Sequence, residues 1–182
     1  GYTLFSFVAV WILGWGQYQG PVTLQVVGYV LGALLGGIIS GLGEEIGWRG
    51  FLVPRLARMM SFGKVGLVSG LIWAVWHYPL VLFTTYGGES PWWYRLIMFT
   101  LMVVGFSFFL AWLQLSSKSV WPATLAHSSH NVFLLHVFMN LTAVGATTLF
   151  FVGEEGAITA GVVLIIGLFF WRKGKKARLA QD

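Results

Sequence analysis

Gly41-Leu42-Gly43-Glu44-Glu45-Ile46-Gly47-Trp48-Arg49-Gly50 decides how the rest of the sequence is read, because two adjacent carboxylates and a guanidinium stand there inside very apolar sequence. The chain has eleven Lys and Arg and six Asp and Glu side chains in 182 residues, and three of these fall between positions 44 and 49. Burying charge is costly, so such a placement points to function before it points to packing. On either side the sequence is hydrocarbon-like. Residues 22–43 are long enough to span a bilayer as a helix, and glycines at 28, 32, 36, 37, 41 and 43 favour close approach of neighbouring helices.

The same reading extends over the whole chain. Mean hydropathy is +0.79, 57% of residues are hydrophobic and 9% charged, and apolar runs of about 20 residues recur, which places the chain among polytopic membrane proteins. The expected fold is an all-α transmembrane helix bundle of six spans, at residues 2–15, 22–43, 65–86, 92–115, 123–141 and 157–171. Residues 1–182 are read as a single membrane-embedded domain, with core motifs over 40–135 and a basic tail over 172–182. Gly16 to Pro21, Gly87 to Pro91 and Ser116 to Pro122 read as turns. Phe51 to Met60 reads as an interfacial helix end bent at Pro54. The chain begins at Gly1 without Met, so it is expected to be a processed or trimmed piece with helices missing upstream; no cleavable signal peptide is evident.

Net charge of +5 would suit nucleic acid, but the basic residues sit at the edges of apolar runs and in the tail, where orientation explains them better. With the N-terminus inside, Arg49, Arg55, Arg58, Lys64, Lys118 and the tail fall on the cytoplasmic side. Arg95 is the exception, and Glu89, Glu154 and Glu155 fall outside. The expectation is a multi-pass protein of the bacterial cytoplasmic membrane, its C-terminus cytoplasmic and its tail against membrane lipid. Cysteine is absent, which excludes disulfides, thiol catalysis and thiolate metal sites.

In a helix Glu45 and Arg49 lie four apart on one face and can pair, whereas Glu44 is turned by about 100° from Glu45. The division this implies is a working Glu44 and a Glu45 held by arginine. His127 and Asn131 are likewise four apart, with His130 beside their face, and His77 comes from a third helix. From the cytoplasmic ends of their spans, Glu44 lies roughly 20 Å deep, His77 about 18 Å and His127 about 10 Å. A kink at Gly50 or Pro54 would bring Glu44 nearer His127. The expected site is a cytoplasm-facing intramembrane cavity in which a carboxylate takes a proton from water, an imidazole orients that water, and His and Asn donate to the oxyanion of a cleaved amide.

These motifs resemble those of the CPBP intramembrane proteases: Glu44-Glu45-x-x-x-Arg49, an aromatic-x-x-x-His at Trp73 to His77, and His-x-x-x-Asn at His127 to Asn131. The family includes type II C-a-a-X prenyl endopeptidases and bacterial bacteriocin-immunity proteins. The resemblance implies a metal-independent glutamic endopeptidase with no cofactor. In it Glu44 and His77 would activate water, His127 and Asn131 would form the oxyanion hole, and Glu45 and Arg49 would hold the site in shape. Trp73 stands where Phe is usual. The substrate it implies is a membrane-associated peptide or protein, prenylated or bacteriocin-like. Trp48, Trp73, Trp76 and His130 are candidates for the cavity wall.

Rival readings are a zinc peptidase using Glu44, His77 and His127, a proton-coupled transporter or channel, and a non-catalytic immunity protein. The zinc reading lacks a His-Glu-x-x-His pattern. The transporter reading lacks paired broken helices in two matching halves.

Overall fold

In a computed structural model of the chain, residues 1–20, 24–84 and 90–180 are described. Pro21 of the first expected turn, and Gly87, Gly88 and Glu89 of the next, lie outside them. Helices α1 (Tyr2–Ile12), α2 (Leu24–Glu45), α3 (Val53–Leu56), α4 (Phe62–Phe83), α5 (Trp92–Ser117), α6 (Trp121–Asn131) and α7 (Ala157–Lys176) follow in order. Among the described residues the strands are a two-residue pair, Gln17 opposite Ala143 and Tyr18 opposite Thr142. The chain is an all-α membrane bundle. Among the described residues four helices are long and apolar enough to cross a membrane: Val30–Leu56, Phe62–Phe83, Trp92–Ser117 and Ala157–Lys176.

In the other two of the six expected places stand shorter rods, α1 and α6 with its continuation. Helix α1 is shorter than expected, because it stops at Ile12 and Gly14 takes a positive φ of 72°. Helix α6 runs without a break into a π-helical segment, Val132–Phe138.

The motif helix also changes its winding where its chemistry begins. Directly after Glu45 the backbone becomes π-helical over Ile46–Leu52 and returns to α at Val53. Glu45, Arg49, Val53 and Ala57 are all buried, a repeat of four. In an α-helix each step of four drifts by about 40° around the axis, so three steps would carry the stripe off the core. The wider π turn removes that drift. This wider turn, which includes Gly50 and ends just before Pro54, keeps the stripe on the core.

Helix α5 sits at the centre, packed by α4, α6 and α7. Lipid is as apolar as leucine, so helix association here depends on close fit more than on hydrophobic burial. Gly105 meets α7 so closely that a Cβ there would lie 2.8 Å from the Val163 carbonyl oxygen. On α2 only part of the glycine stripe is used for packing. Gly37 and Gly41 face Ser128 and Val132 of α6 and its continuation, whereas Gly28, Gly32, Gly36 and Gly43 meet nothing. Leu31, Leu35 and Ile39, between 60% and 74% exposed, form an outward face of α2 suited to lipid. The inner core of Trp73, Phe99, Met102, Val103, Phe106, Leu110 and Val163 packs where α4, α5 and α7 meet. Its upper rings become the floor of the site.

Candidate active site

Glu45 is fully buried and is the hub of the polar groups. Its Oε1 accepts from Arg49 Nη1 at 2.8 Å and from His127 Nδ1 at 2.9 Å. Arg49 Nη2 donates to Ser107 Oγ at 3.2 Å, and its guanidinium lies 4.2 Å from the Trp73 ring centre. One carboxylate thus joins α2, its π-helical continuation and α6, while its arginine reaches α5 and α4. Removing one partner from such a buried pair leaves the other charge without compensation.

Glu44, one residue earlier and turned away from this hub, is half-buried. Its Oε2 accepts from the Trp73 indole Nε1–H at 2.9 Å, which leaves Oε1 outside that bond. His77 lies one turn further along α4 and donates from Nδ1 to the Trp73 carbonyl at 3.1 Å. A carbonyl only accepts, so this bond sets the tautomer and leaves Nε2 as the basic nitrogen. The Trp73 ring stands edge-on to the imidazoles of both His77 and His127, with centroids 5.9 and 5.2 Å apart.

Glu44, His77, His127, His130 and Asn131 line one cavity of about 230 Å³, floored by Phe99, Met102, Val103 and Phe106. The loosely overlapping depths expected from helix rise do allow these groups to meet. Trp73 lines this cavity as well. Trp48 and Trp76 do not: with Gly43, Gly47, Phe51 and Ile72 they line a separate apolar groove of about 680 Å³ that shares Glu44. The two tryptophans meet edge to face at 5.9 Å. Among the described residues no group of three or more His, Asp or Glu side chains is placed to hold a metal ion.

One cavity residue had only an orientation role in the sequence reading. Glu154, expected on the outer side as a loop charge, lines the cavity with Glu44 and bonds His130 Nε2 at 3.1 Å. On the other side of the same ring, Tyr2 Oη bonds His130 Nδ1. The signal was available: six acidic residues in an apolar chain, two of them adjacent and in no motif. Their spacing carried no indication of which way the loop would turn.

A helical bundle with carboxylates, imidazoles and an amide around one internal cavity defines a class, an integral membrane protein with a polar site between its helices. Residues 26–133 match the type II CAAX prenyl endopeptidase Rce1-like family, and the chain belongs to that family. CAAX prenyl protease 2 of Methanococcus maripaludis is 27% identical over 142 residues, covering 75% of this chain and 50% of that protein. The chain therefore spans about half the length of this curated relative. No solved structure matches the chain.

Proposed function

We propose that the protein is a glutamic intramembrane endopeptidase, on one observation above the rest: Glu44, His77, His127 and Asn131 line the same cavity of about 230 Å³. Glu44 Oε1 takes a proton from a water that His77 Nε2 orients, and that water attacks the peptide carbonyl carbon. His127 and Asn131 donate to the oxyanion that forms. The Glu45 carboxylate behind His127 Nδ1 fixes that ring's orientation and stabilises positive charge on it, so that Nε2–H can donate. Glu45 and Arg49 act on the site through His127 and Trp73 and do not touch substrate.

A lipid-modified peptide suits the second groove. Its Gly43, Gly47, Trp48, Phe51, Ile72 and Trp76 lining is apolar and wide, and it meets the catalytic cavity at Glu44. An isoprenoid chain seated there would place the peptide bonds beside its cysteine near that carboxylate. In this reading the basic tail lies on the cytoplasmic side of a bacterial membrane.

The test is cleavage of farnesylated and unmodified C-a-a-X peptides by purified protein and its Glu44→Gln variant, each with and without chelator. Cleavage of the farnesylated peptide that is lost in the variant and indifferent to chelator is the expected result. Inhibition by chelator that zinc reverses would replace the glutamic mechanism with a metal one. A Glu44→Gln variant as active as the parent would rule out the assigned base.

A further inference from the structure

Hydrolysis of an amide needs a second proton transfer that the groups assigned so far leave open, because the nitrogen cannot depart as an anion. Resting on the peptidase reading above, we propose that Glu154 is the general acid of this site, protonating the departing amine from a position set by His130 and Tyr2.

The loop that carries Glu154 is built to hold it. Val152 is buried against Phe7, Val10 and Leu134. Gly153 takes a φ of +86°, and a Cβ on Gly156 would lie 2.4 Å from the backbone of Phe151 and Val152. Ile158 N donates to Phe151 O at 3.0 Å, closing the turn just before α7 begins. Tyr94 Oη of α5 bonds the Phe150 carbonyl. The carboxyl so held lines the catalytic cavity, where His130 Nε2 meets its Oε1 at 3.1 Å.

Behind Glu154, the His130 ring is sandwiched. It stacks on Tyr2 at 5.8 Å and packs on Phe106 at 4.9 Å. Both ring nitrogens are engaged, Nδ1 by Tyr2 Oη and Nε2 by Glu154. His130 and Tyr2 are therefore positioning residues. A carboxyl kept in the cavity by a ring that is itself locked has the fixed geometry that proton transfer requires.

The titratable groups around it are Tyr2, Glu44, His77, His127, His130 and the neighbouring Glu155, with Arg95 beside Glu155. Burial, then the charges of Glu155 and Glu44, push the Glu154 carboxyl up to about 8. At neutral pH it carries its proton. Glu44 and Glu154 then divide the work of two carboxylates whose environments differ, one a base and one an acid.

The step balances. Water adds to the carbonyl carbon as Glu44 takes its proton; the C–N bond breaks as Glu154 gives its proton to the nitrogen. The proton on Glu44 then passes through cavity water to Glu154, and one water has been consumed for one acid and one amine.

A change of leaving group tests this. The parent, Glu154→Gln and Glu154→Asp are assayed from pH 5 to 10 on a farnesylated C-a-a-X peptide and on the nitrophenyl ester of its farnesylcysteine half. Nitrophenolate leaves without a proton. Glu154→Gln should lower kcat on the peptide by about 100-fold or more with KM little changed, while ester hydrolysis falls far less. The alkaline loss of peptide kcat, centred near pH 8 in the parent, should vanish in Glu154→Gln and persist in Glu154→Asp. A thermal melt in detergent establishes that each variant is folded. If Glu154→Gln misfolds, the parent's own contrast decides: an alkaline limb on the peptide but not on the ester is expected, and the same limb on both overturns the proposal. Equal loss on both substrates, or peptide cleavage that is unaffected, overturns the acid role alone. A parent inactive on both substrates overturns the peptidase reading and this inference with it.

Discussion

Trp73 is the residue at which the sequence pattern and the structure differ most in what they say. As a pattern position it is one aromatic in place of another. In the structure its indole N–H is the group that holds Glu44, a contact phenylalanine lacks. A Trp73→Phe variant keeps the ring that packs against Arg49, Phe106 and both imidazoles but releases the carboxylate. Hydrogen bonds to charged groups contribute about 1.5–3 kcal/mol, and 1.36 kcal/mol is tenfold in rate. Loss of roughly one order of magnitude or more in kcat/KM is expected, with a melting temperature close to the parent's. Steady-state kinetics with a detergent melt measure both. An unchanged kcat/KM would mean that Glu44 is oriented by something else.

At the scale of elements, the site depends on two helix contacts that side-chain identity alone does not reveal. The α2–α6 contact brings Glu45 to His127, and its tightest point is Gly41, where a Cβ would meet Ser128 Oγ at 2.6 Å. Ser128 in turn donates to Gly37 O at 2.8 Å. Gly41→Ala should push α6 away and lower activity by about tenfold. Adding Ser128→Ala removes the obstacle and should restore part of that loss, a non-additive result that a double-mutant cycle reads directly. Additive losses would show that the two helices are not in register here. The π turn after Glu45 is the other device. The sequence showed where charge lay, but the turn depends on which residues the core needs on one face, Glu45, Arg49, Val53 and Ala57. A repeat of four over so short a stretch also fits an amphipathic α-helix, so the sequence reading took the α form.

For the whole molecule, two consequences can be measured. Glu154 and Glu155 lie outside the long apolar helices, and burial raises both, from 4.5 to about 8 and about 7 respectively. Through these two carboxyls the folded state binds more protons than the unfolded state between about pH 4.5 and 8, and their contribution to stability falls as pH rises through that window. The melting temperature in detergent of the parent, taken relative to that of a Glu154→Gln/Glu155→Gln double variant, should decline from pH 5 to 8 and level off above it. A difference that rises over the same range would contradict the burial of these carboxyls. The second consequence is topology. Because the chain has no cysteine, single cysteines at Lys118, Asn140 and Ala177 report sidedness without background. Six crossings predict that positions 118 and 177 label from the cytoplasm and 140 from outside. Labelling of 140 and 177 from one face would remove a span. Arg95, the charge that did not fit the orientation rule, is buried in the bundle beside Glu155 and is not a loop charge.

By itself the sequence determined the membrane, the six helical rods and the residues to watch, because a bilayer makes both hydrophobic length and misplaced charge expensive. Glu44, Glu45 and Arg49 stood out for that reason, and His77, His127 and Asn131 stood out through the motifs that resemble those of the family. Tertiary structure alone decided that Glu45 joins Arg49 to His127, that Trp73 holds Glu44, that Trp48 and Trp76 line a different groove, and that Glu154 turns into the cavity. These depend on how helices distant in sequence are rotated and how a loop closes. No local periodicity encodes that, since the same carboxylate in the same loop can face water or the core according to what packs around it.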